Sequence, residues 1–148
     1  MDSTYVGGAS NLSKNESYSY DWMDNKWGKH NETDMSIPAA AGAIVATTHD
    51  LDKFITGLFN GKLISKSSLD TMKTIKDGFG MGMFEYPFIG QIKFSFTSKQ
   101  AYGHIGGIDG FASVLAYLPQ EQLAVAYYTN GVNEDFSDVM SDVFKYIK

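Results

Sequence analysis

The sequence predicts an α+β domain in which an antiparallel sheet is flanked by helices. Two apolar runs, Phe111–Leu118 and Leu123–Thr129, have the length of strands and are apolar on both faces. Only Pro119–Gln122 separates them, and a short connection of this composition predicts a turn between antiparallel neighbours. Beyond them, Asn133–Ile147 combines an Asn cap with apolar residues at helical spacing. We expect Gly103–Gly106 to be a third adjoining strand and the final helix to cover one face.

The first part of the chain, residues 1–37, is predicted to be a long polar loop region rich in aromatic residues. Four aromatic side chains stand there among Asn, Ser, Asp and Lys: Tyr18, Tyr20, Trp22 and Trp27. Loops of this length are normally functional or belong to a larger assembly. The whole chain, 1–148, is long enough to bury a core of its own, so we expect a single domain.

Two helices and two strands are predicted between the loop and the apolar runs. Thr48 is expected to cap a helix in which Leu51, Phe54, Ile55, Leu58 and Phe59 recur at helical spacing, and Asn60-Gly61 ends it. A second, short helix is expected to start near Ser65, with Leu69 and Met72 buried. Met81–Tyr86 is a plausible strand. Ile92, Phe94 and Phe96 alternate with polar residues, which is the period of a half-buried strand.

Composition excludes several classes of function. The net charge is −5 and all 12 basic residues are lysine, so there is neither a basic patch for nucleic acid nor an arginine clamp for phosphate. The absence of cysteine excludes disulfides, thiolate metal sites and cysteine nucleophiles. Neither a cofactor nor a metal site is predicted.

The segment from Tyr102 to Phe111 contains the most informative pattern. Four glycines surround His104 at the start of an apolar strand. Glycines inside a strand mark the close approach of a ligand or of another backbone, and histidine exchanges protons near neutral pH. Together they suggest one half of an acyl-transfer site, whose other half would be a nucleophile with its base.

Several segments, taken together, resemble serine β-lactamase-related proteins. They are the run from Pro38 to Phe54, the Gly61–Ser65 turn, Tyr102–Gly107 with Gly110-Phe111, and Ala126–Asn130 before the final helix. This family includes class C β-lactamases, D-alanyl-D-alanine carboxypeptidases, D-aminopeptidases and small esterases. The resemblance covers nearly the whole chain but implies only the C-terminal part of a β-lactamase/transpeptidase-like fold. Met1–Thr4 resembles a segment that in the family follows the first two catalytic motifs.

Of the three motifs of that family, only the third is present, as His104-Ile105-Gly106. No lysine has Ser or Thr three positions before it, so the Ser-x-x-Lys nucleophile motif is absent from the sequence. Tyr128-Thr129-Asn130 spells Tyr-x-Asn, but it follows the third motif, at a place that is an ordinary strand end in the family. We therefore expect this chain alone to be inactive.

The resemblance assigns roles to the residues that are present. It implies substrate binding by Tyr102, His104, Ile105, Gly106 and Gly107, with His104 and the Gly107 N–H as catalytic groups. His104 would donate a hydrogen bond to the substrate or interact with the missing Tyr of the second motif, and the Gly107 N–H would be one of two oxyanion donors. Lactam-hydrolysing relatives have lysine where this chain has His104, which is mostly neutral at pH 7. Peptidase or esterase work is therefore favoured over vigorous β-lactam hydrolysis.

Two functions from different classes remain open. The first is the C-terminal fragment of a serine hydrolase that acts on amide or ester bonds of a small molecule or peptide through an acyl-enzyme. The alternative is a non-catalytic binding module that uses the aromatic loop. The resemblance implies that strand 123–129 lacks the partner strand that the N-terminal part supplies in the family, and such an unpaired edge predicts homo-oligomers or association with the missing N-terminal part. The resemblance also implies a bacterial parent that is exported or associated with the cell envelope.

Overall fold

The computed structural model describes residues 1–86, 88–89, 92–93 and 100–131. Within these ranges the strands are β1 (Tyr5–Val6), β2 (Tyr20–Met23), β3 (Lys26–Lys29), β4 (Ile44–Val45), β5 (Phe84–Tyr86), β6 (Phe88–Ile89), β7 (Ile92–Lys93), β8 (Ala101–Ile108), β9 (Phe111–Leu118) and β10 (Leu123–Thr129). The α-helices there are α1 (Thr48–Phe59) and α2 (Lys66–Met72). The longest of them has 12 residues, fewer than a bilayer-crossing helix needs.

The main sheet has four strands in the order β10-β9-β8-β5, and every neighbouring pair is antiparallel. The predicted order of the strands from Gly103–Gly106 through Phe111–Leu118 to Leu123–Thr129 is confirmed. β9 is covered by strands on both sides, whereas β10 is the outermost strand among the described residues. The predicted helix Asn133–Ile147 and the residues Phe94 and Phe96 lie outside the described residues.

Both faces of this sheet carry apolar clusters. On the helix side, Tyr102 packs with Leu58, Leu69 and Met83, and the ring of Phe59 stacks on Tyr117 at 4.4 Å. The other face holds a second cluster, to which each of the four strands contributes: Tyr86, Ala101, Val114, Ala116 and Leu118, with Ile105, Leu123, Val125 and Tyr127 against them. The near-continuous hydrophobicity of β9 follows from this burial on two sides.

Helix α1 begins one residue earlier than its predicted cap implies. Thr47 is the cap: its backbone is extended, and its hydroxyl accepts a hydrogen bond from the Asp50 N–H at 3.2 Å. The prediction of Thr48 as the cap is therefore wrong, because Thr48 already has helical backbone angles and two adjacent threonines look alike in sequence. Ile55 and Leu58 are buried as the spacing predicts, and Asn60 follows the last turn.

Helix α2 is capped by Ser65, whose hydroxyl accepts a hydrogen bond from the Ser68 N–H at 3.1 Å. Leu69 is buried as predicted, whereas Met72 is half-buried. The strand predicted at Met81–Tyr86 is shorter, since only Phe84–Tyr86 pairs with β8. Residues 80–83 turn instead: the Gly80 N–H donates to the Met83 carbonyl at 2.8 Å.

The aromatic loop region contains a hairpin that the sequence interpretation did not predict. Strands β2 and β3 pair antiparallel with Trp22 opposite Trp27. Asp24 and Asn25 form the two-residue turn with φ of 51° and 59°, the left-handed region that Asp and Asn tolerate best after glycine. The hairpin packs on the end of β10, where the Tyr20 N–H donates to the Asn130 carbonyl at 2.8 Å.

Asp50, a polar group buried in α1, fixes the N-terminal segment. Its side chain accepts hydrogen bonds from the Ser3 N–H and the Thr4 hydroxyl, both at 2.8 Å, and the residue is only 2% exposed. Burial raises the pKa of Asp50, but the hydrogen bonds from Thr4 and Ser3 and the positive charges of the N-terminus and Lys53 outweigh it. The net pKa lies below the usual value for Asp.

The Gly103→Ala variant should be destabilised by roughly 3 kcal/mol, because a Cβ there would lie 1.8 Å from the Leu115 carbonyl oxygen of β9. Gly107→Ala is the matched control on the same strand, since its nearest neighbour, the Phe111 carbonyl oxygen, is 4.0 Å away. Its stability should change by less than about 0.5 kcal/mol. Urea unfolding followed by circular dichroism measures both, and equal stabilities would contradict the packing at Gly103.

The lowered pKa of Asp50 predicts a loss of stability in acid. The stabilisation that ionised Asp50 gives the folded state is complete above the pKa of an unfolded Asp, about 3.9. It disappears as the pH falls through the lower pKa of the folded state. The stability gap between the wild type and Asp50→Asn should therefore narrow from about pH 5 downward. Urea unfolding across that range measures the gap, with Asp52→Asn, at an exposed Asp on the same helix, as the control substitution. A pH-independent gap for Asp50→Asn would contradict the assignment.

Candidate active site

The candidate site is the open edge of β8. β5 pairs with β8 only from Ala101 to Gly103, and Phe84 is its first paired residue. From His104 to Ile108, the described part of the chain pairs β8 with β9 alone. The edge that faces away from β9 is therefore free of described strands over five residues. An open edge of this kind accepts an extended segment as an additional strand.

The tight turn between β8 and β9 decides which backbone groups face the open edge. Only Asp109 and Gly110 separate the paired residues Ile108 and Phe111. In such a two-residue hairpin the flanking pair exchanges hydrogen bonds, and the exchange recurs at every second residue. The backbone groups of Ile108, Gly106 and His104 are thus directed to β9. The N–H and C=O groups of Gly107 and Ile105 are directed to the open edge.

Glycine serves two purposes on this strand. Gly103 lets β8 lie against the backbone of β9, as the contact with the Leu115 carbonyl requires. Gly106 and Gly107 are both exposed, but only Gly107 has ample space: a Cβ on Gly106 would lie 2.6 Å from the Ser113 hydroxyl, which would have to rotate away, whereas the nearest atom to a Cβ on Gly107 is 4.0 Å away. Near Gly107, therefore, no side chain of β8 hinders the approach of a ligand to the backbone.

His104 stands on the exposed face at the beginning of the open edge. Its ring stacks on Phe84 with centroids 4.3 Å apart, and its Nδ1 contacts the Ile105 carbonyl oxygen. Because a carbonyl only accepts, Nδ1 carries the proton, and in the neutral ring Nε2 is left as an acceptor. A neutral His104 therefore offers a substrate an acceptor, whereas the sequence argument expected a donor.

The two other predicted substrate-binding residues have side chains directed into the protein. Tyr102 is buried against Phe59, with ring centroids 6.1 Å apart, and Lys73 lies 5.7 Å from its ring. Burial raises the pKa of Tyr102, and the nearby Glu85 adds to this. Ile105 packs on the opposite cluster, so only its backbone reaches the edge. A role for the Tyr102 side chain in substrate binding stays a prediction from the resemblance.

Sequence reasoning missed the polar anchor of the β8–β9 turn. Asp109 has φ of 52° and accepts two hydrogen bonds from Thr33, from its N–H at 3.0 Å and from its hydroxyl at 2.6 Å. His30 is partly buried, with its Nε2 3.7 Å from Asp109, and its Nδ1 contacts Asp21. Burial raises the pKa of Asp109, but Thr33 and His30 outweigh it and hold the pKa low.

A pocket with a volume of about 1010 Å³ borders the end of β8 that leads into the turn to β9. Residues 6–9, 32–36, 39–40 and 43–44 line it. It adjoins the β8–β9 turn because Thr33, one of its lining residues, bonds Asp109. His104 and Gly107 do not line it. Among the described residues, no cluster of Asp, Glu, His or Cys is suited to hold a metal ion.

Comparison with solved structures shows the fold. A D-stereospecific amidohydrolase from Streptomyces sp. is 23% identical, with a TM-score of 0.77 over 98% of this chain and 44% of its own. A D-amino acid amidase from Ochrobactrum anthropi SV3, complexed with D-phenylalanine, is also 23% identical, with a TM-score of 0.71 over 99% of this chain and 49% of its own. This chain thus spans less than half the length of these solved relatives.

No curated protein matches the chain. The model of the family described as Beta-lactamase matches residues 1–144. The four-stranded antiparallel sheet with α1 on one face agrees with this match and confirms the resemblance drawn from the motifs. The chain belongs to the Beta-lactamase family.

Proposed function

We propose that this chain supplies the substrate-binding strand and one oxyanion donor of a serine hydrolase that cleaves amide or ester bonds. The observation that carries the proposal is the open edge of β8, where the Gly107 N–H and the Ile105 backbone point outward beside exposed glycine. An extended substrate pairs antiparallel with this edge, so that the scissile carbonyl lies opposite Gly107 with its oxygen against the Gly107 N–H and the leaving-group side lies opposite Ile105. The serine oxygen then adds to the carbonyl carbon, the leaving group departs, and water cleaves the acyl-enzyme.

The Gly107 N–H contributes by stabilising the negative oxygen of the tetrahedral intermediate. One donor of this kind is worth about 2.7–4 kcal/mol of transition-state stabilisation. His104 lies three residues away on the same strand, and its Nε2 accepts a hydrogen bond from an N–H or O–H of the substrate. A neutral acceptor does not attract a carboxylate, which favours uncharged amides and esters over β-lactams that carry a carboxylate.

The nucleophile is proposed to come from a segment outside these 148 residues. No Ser-x-x-Lys occurs in the 148 residues, and the solved relatives are more than twice as long as the part that this chain matches. The names of those relatives, an amidohydrolase and an amidase, favour amide bonds as the substrate class. For the same reason, we expect this chain by itself to bind a substrate without cleaving it.

The chain should therefore bind an extended peptide amide without being acylated. Titration of the 15N-labelled chain with acetyl-Ala-Ala-Ala amide should shift the amide signals of Ile105 and Gly107 more than those of Gly106 and Ile108, which are directed to β9. Fluorescent penicillin, nitrocefin and p-nitrophenyl acetate should react no faster than in buffer. Stoichiometric acylation of any serine, seen by mass spectrometry, would disprove the claim that this chain lacks the nucleophile. Unshifted amide signals of Ile105 and Gly107 would disprove the claim that β8 is the binding strand.

A second candidate function, a binding module that uses the aromatic hairpin, has one observation in its favour. The indole rings of Trp22 and Trp27 pack edge-to-face at 5.2 Å, and both remain exposed together with Met23. Exposed tryptophans of this kind are enriched at protein interfaces. Trp27 also packs on Gly131, so part of its surface has a structural role. Trp22→Ser separates the two functions, since it should leave peptide binding at β8 unchanged.

The outer edge of β10 is proposed to be the place where the chain associates with a second copy or with the segment that supplies the nucleophile. Leu118, Ala116 and Val114 of β9 bond to β10, so the N–H groups of Ala124, Ala126 and Tyr128 point outward by the same alternation. No described strand pairs with them. Unpaired edges of this kind are templates for strand addition.

We expect a dimer or larger species at micromolar concentration when the chain is alone. Tyr128, which is 49% exposed on the edge, is the residue to change: Tyr128→Lys should shift the population toward the monomer, because a charged side chain disfavours edge pairing. Ile37→Lys, at a 77% exposed residue outside the sheet, is the control. Sedimentation velocity measures the species. A 16.3 kDa monomer for the wild type would rule out self-association through β10.

A further inference from the structure

Three aromatic rings form a continuous surface where the open edge of β8 begins. The ring of Phe84 lies between the other two: His104 stacks on it at 4.3 Å, and Phe79 meets it edge-to-face at 5.0 Å. We call Phe79, Phe84 and His104 the aromatic platform. Phe79 is 47% exposed and the neighbouring Met81 is exposed as well, so this apolar surface is available to a ligand.

The backbone holds the aromatic platform in place. Phe79 and Lys76 exchange two hydrogen bonds, at 2.9 and 3.0 Å. The Met81 N–H donates to the Met72 carbonyl at 3.0 Å, and a Cβ on Gly80 would lie 2.3 Å from that same oxygen. This turn is packed too tightly to move freely relative to α2. Phe79 is therefore exposed on a rigid support, which lowers the entropic cost of binding a ligand.

The aromatic platform lies where one end of a bound peptide must arrive. β5 occupies the position next to β8 as far as Phe84, and the open edge continues in the same line from His104. A peptide that pairs antiparallel with this edge runs in the direction of β5. Its C-terminal end therefore meets Phe84, while a carbonyl placed against Gly107 lies further toward its N-terminus.

We propose that the aromatic platform is a specificity site for an apolar, preferably aromatic, group on the C-terminal side of the scissile carbonyl. This inference rests on the proposed function, because it assumes that the substrate lies along the edge of β8. Apolar contact with Phe79 and ring packing against Phe84 provide the preference for an aromatic group. The one titratable side chain of the aromatic platform is His104, which presents an acceptor when neutral, so a free carboxylate at this position is disfavoured.

Binding of four peptides tests the inference. They are acetyl-Ala-Ala-Phe amide and acetyl-Ala-Ala-Ser amide, each made with an L or a D final residue, and they are titrated into the 15N-labelled full chain at about pH 7.5. In at least one configuration the Phe peptide should bind about fivefold more tightly than the Ser peptide, an expectation that follows from the usual strength of aromatic contacts. Phe79→Ser should reduce this ratio to below about twofold.

Phe54→Ser is the matched control, because Phe54 is an exposed phenylalanine of similar exposure, 40%, on α1. It should leave the fivefold ratio intact. Circular dichroism of both variants checks that each is folded. An equal loss of the Phe-to-Ser binding ratio in Phe79→Ser and Phe54→Ser would overturn the inference.

The outcomes separate this inference from the proposed function. If the Phe and Ser peptides bind equally and both shift the amides of Ile105 and Gly107, the aromatic platform has no role in specificity but the binding strand stands. If no peptide shifts those amides, the proposed function fails and the inference fails with it. A ratio that is preserved in Phe79→Ser would assign the preference to another surface.

Discussion

The register between β8 and β9 is the constraint on which the other features of the site depend. A two-residue turn and seven paired positions allow one alternation along β8. This alternation directs the Gly107 and Ile105 backbones away from β9, places Ile105 in the core and leaves His104 exposed. A slip of one residue would exchange these roles, since neighbouring strand residues point to opposite faces. Gly103 supports the register, because only glycine tolerates the contact with the Leu115 carbonyl.

Two buried carboxylates, Asp50 on α1 and Asp109 in the turn between β8 and β9, hold the polar N-terminal part in place. Asp50 holds the segment at Ser3 and Thr4, and Asp109 holds Thr33 at the turn between β8 and β9. In both cases hydrogen bonds to the charged form outweigh the cost of burial, so the carboxylates stay ionised. A region with few aliphatic side chains is thus ordered by polar contacts and by the aromatic hairpin.

The chemistry of the proposed site follows from what the edge of β8 presents. In the proposed function, backbone groups of this edge recognise an extended substrate, the Gly107 N–H faces the developing oxyanion, and His104 Nε2 accepts a hydrogen bond from the substrate. In that proposal the edge provides recognition and electrostatic stabilisation, and the nucleophile comes from outside these 148 residues, which contain no Ser-x-x-Lys. This separation of the binding strand from the nucleophile agrees with the length of the chain, which spans less than half the length of its solved relatives.

The sequence by itself determined that Gly103–Gly106, Phe111–Leu118 and Leu123–Thr129 are consecutive strands of one sheet, that two helices precede them, and which family the chain resembles. Apolar runs, caps and the His104-Ile105-Gly106 motif are local patterns, and they specify local structure and resemblance. The alternation along β8, in contrast, follows from the two-residue turn and the pairing that the structure shows.

Only the tertiary structure decided three features of the site. These are the end of β5 at Phe84, the stacking of Phe84 on His104, and the bonding of Asp109 to Thr33, 76 residues away in sequence. Each depends on contacts between segments distant in the chain, which no periodicity encodes. The proton on Nδ1 of His104 likewise follows from the placement of a carbonyl in space. The choice of Thr47 over Thr48 as the helix cap was decided by the backbone conformation at each residue, which two adjacent threonines do not reveal.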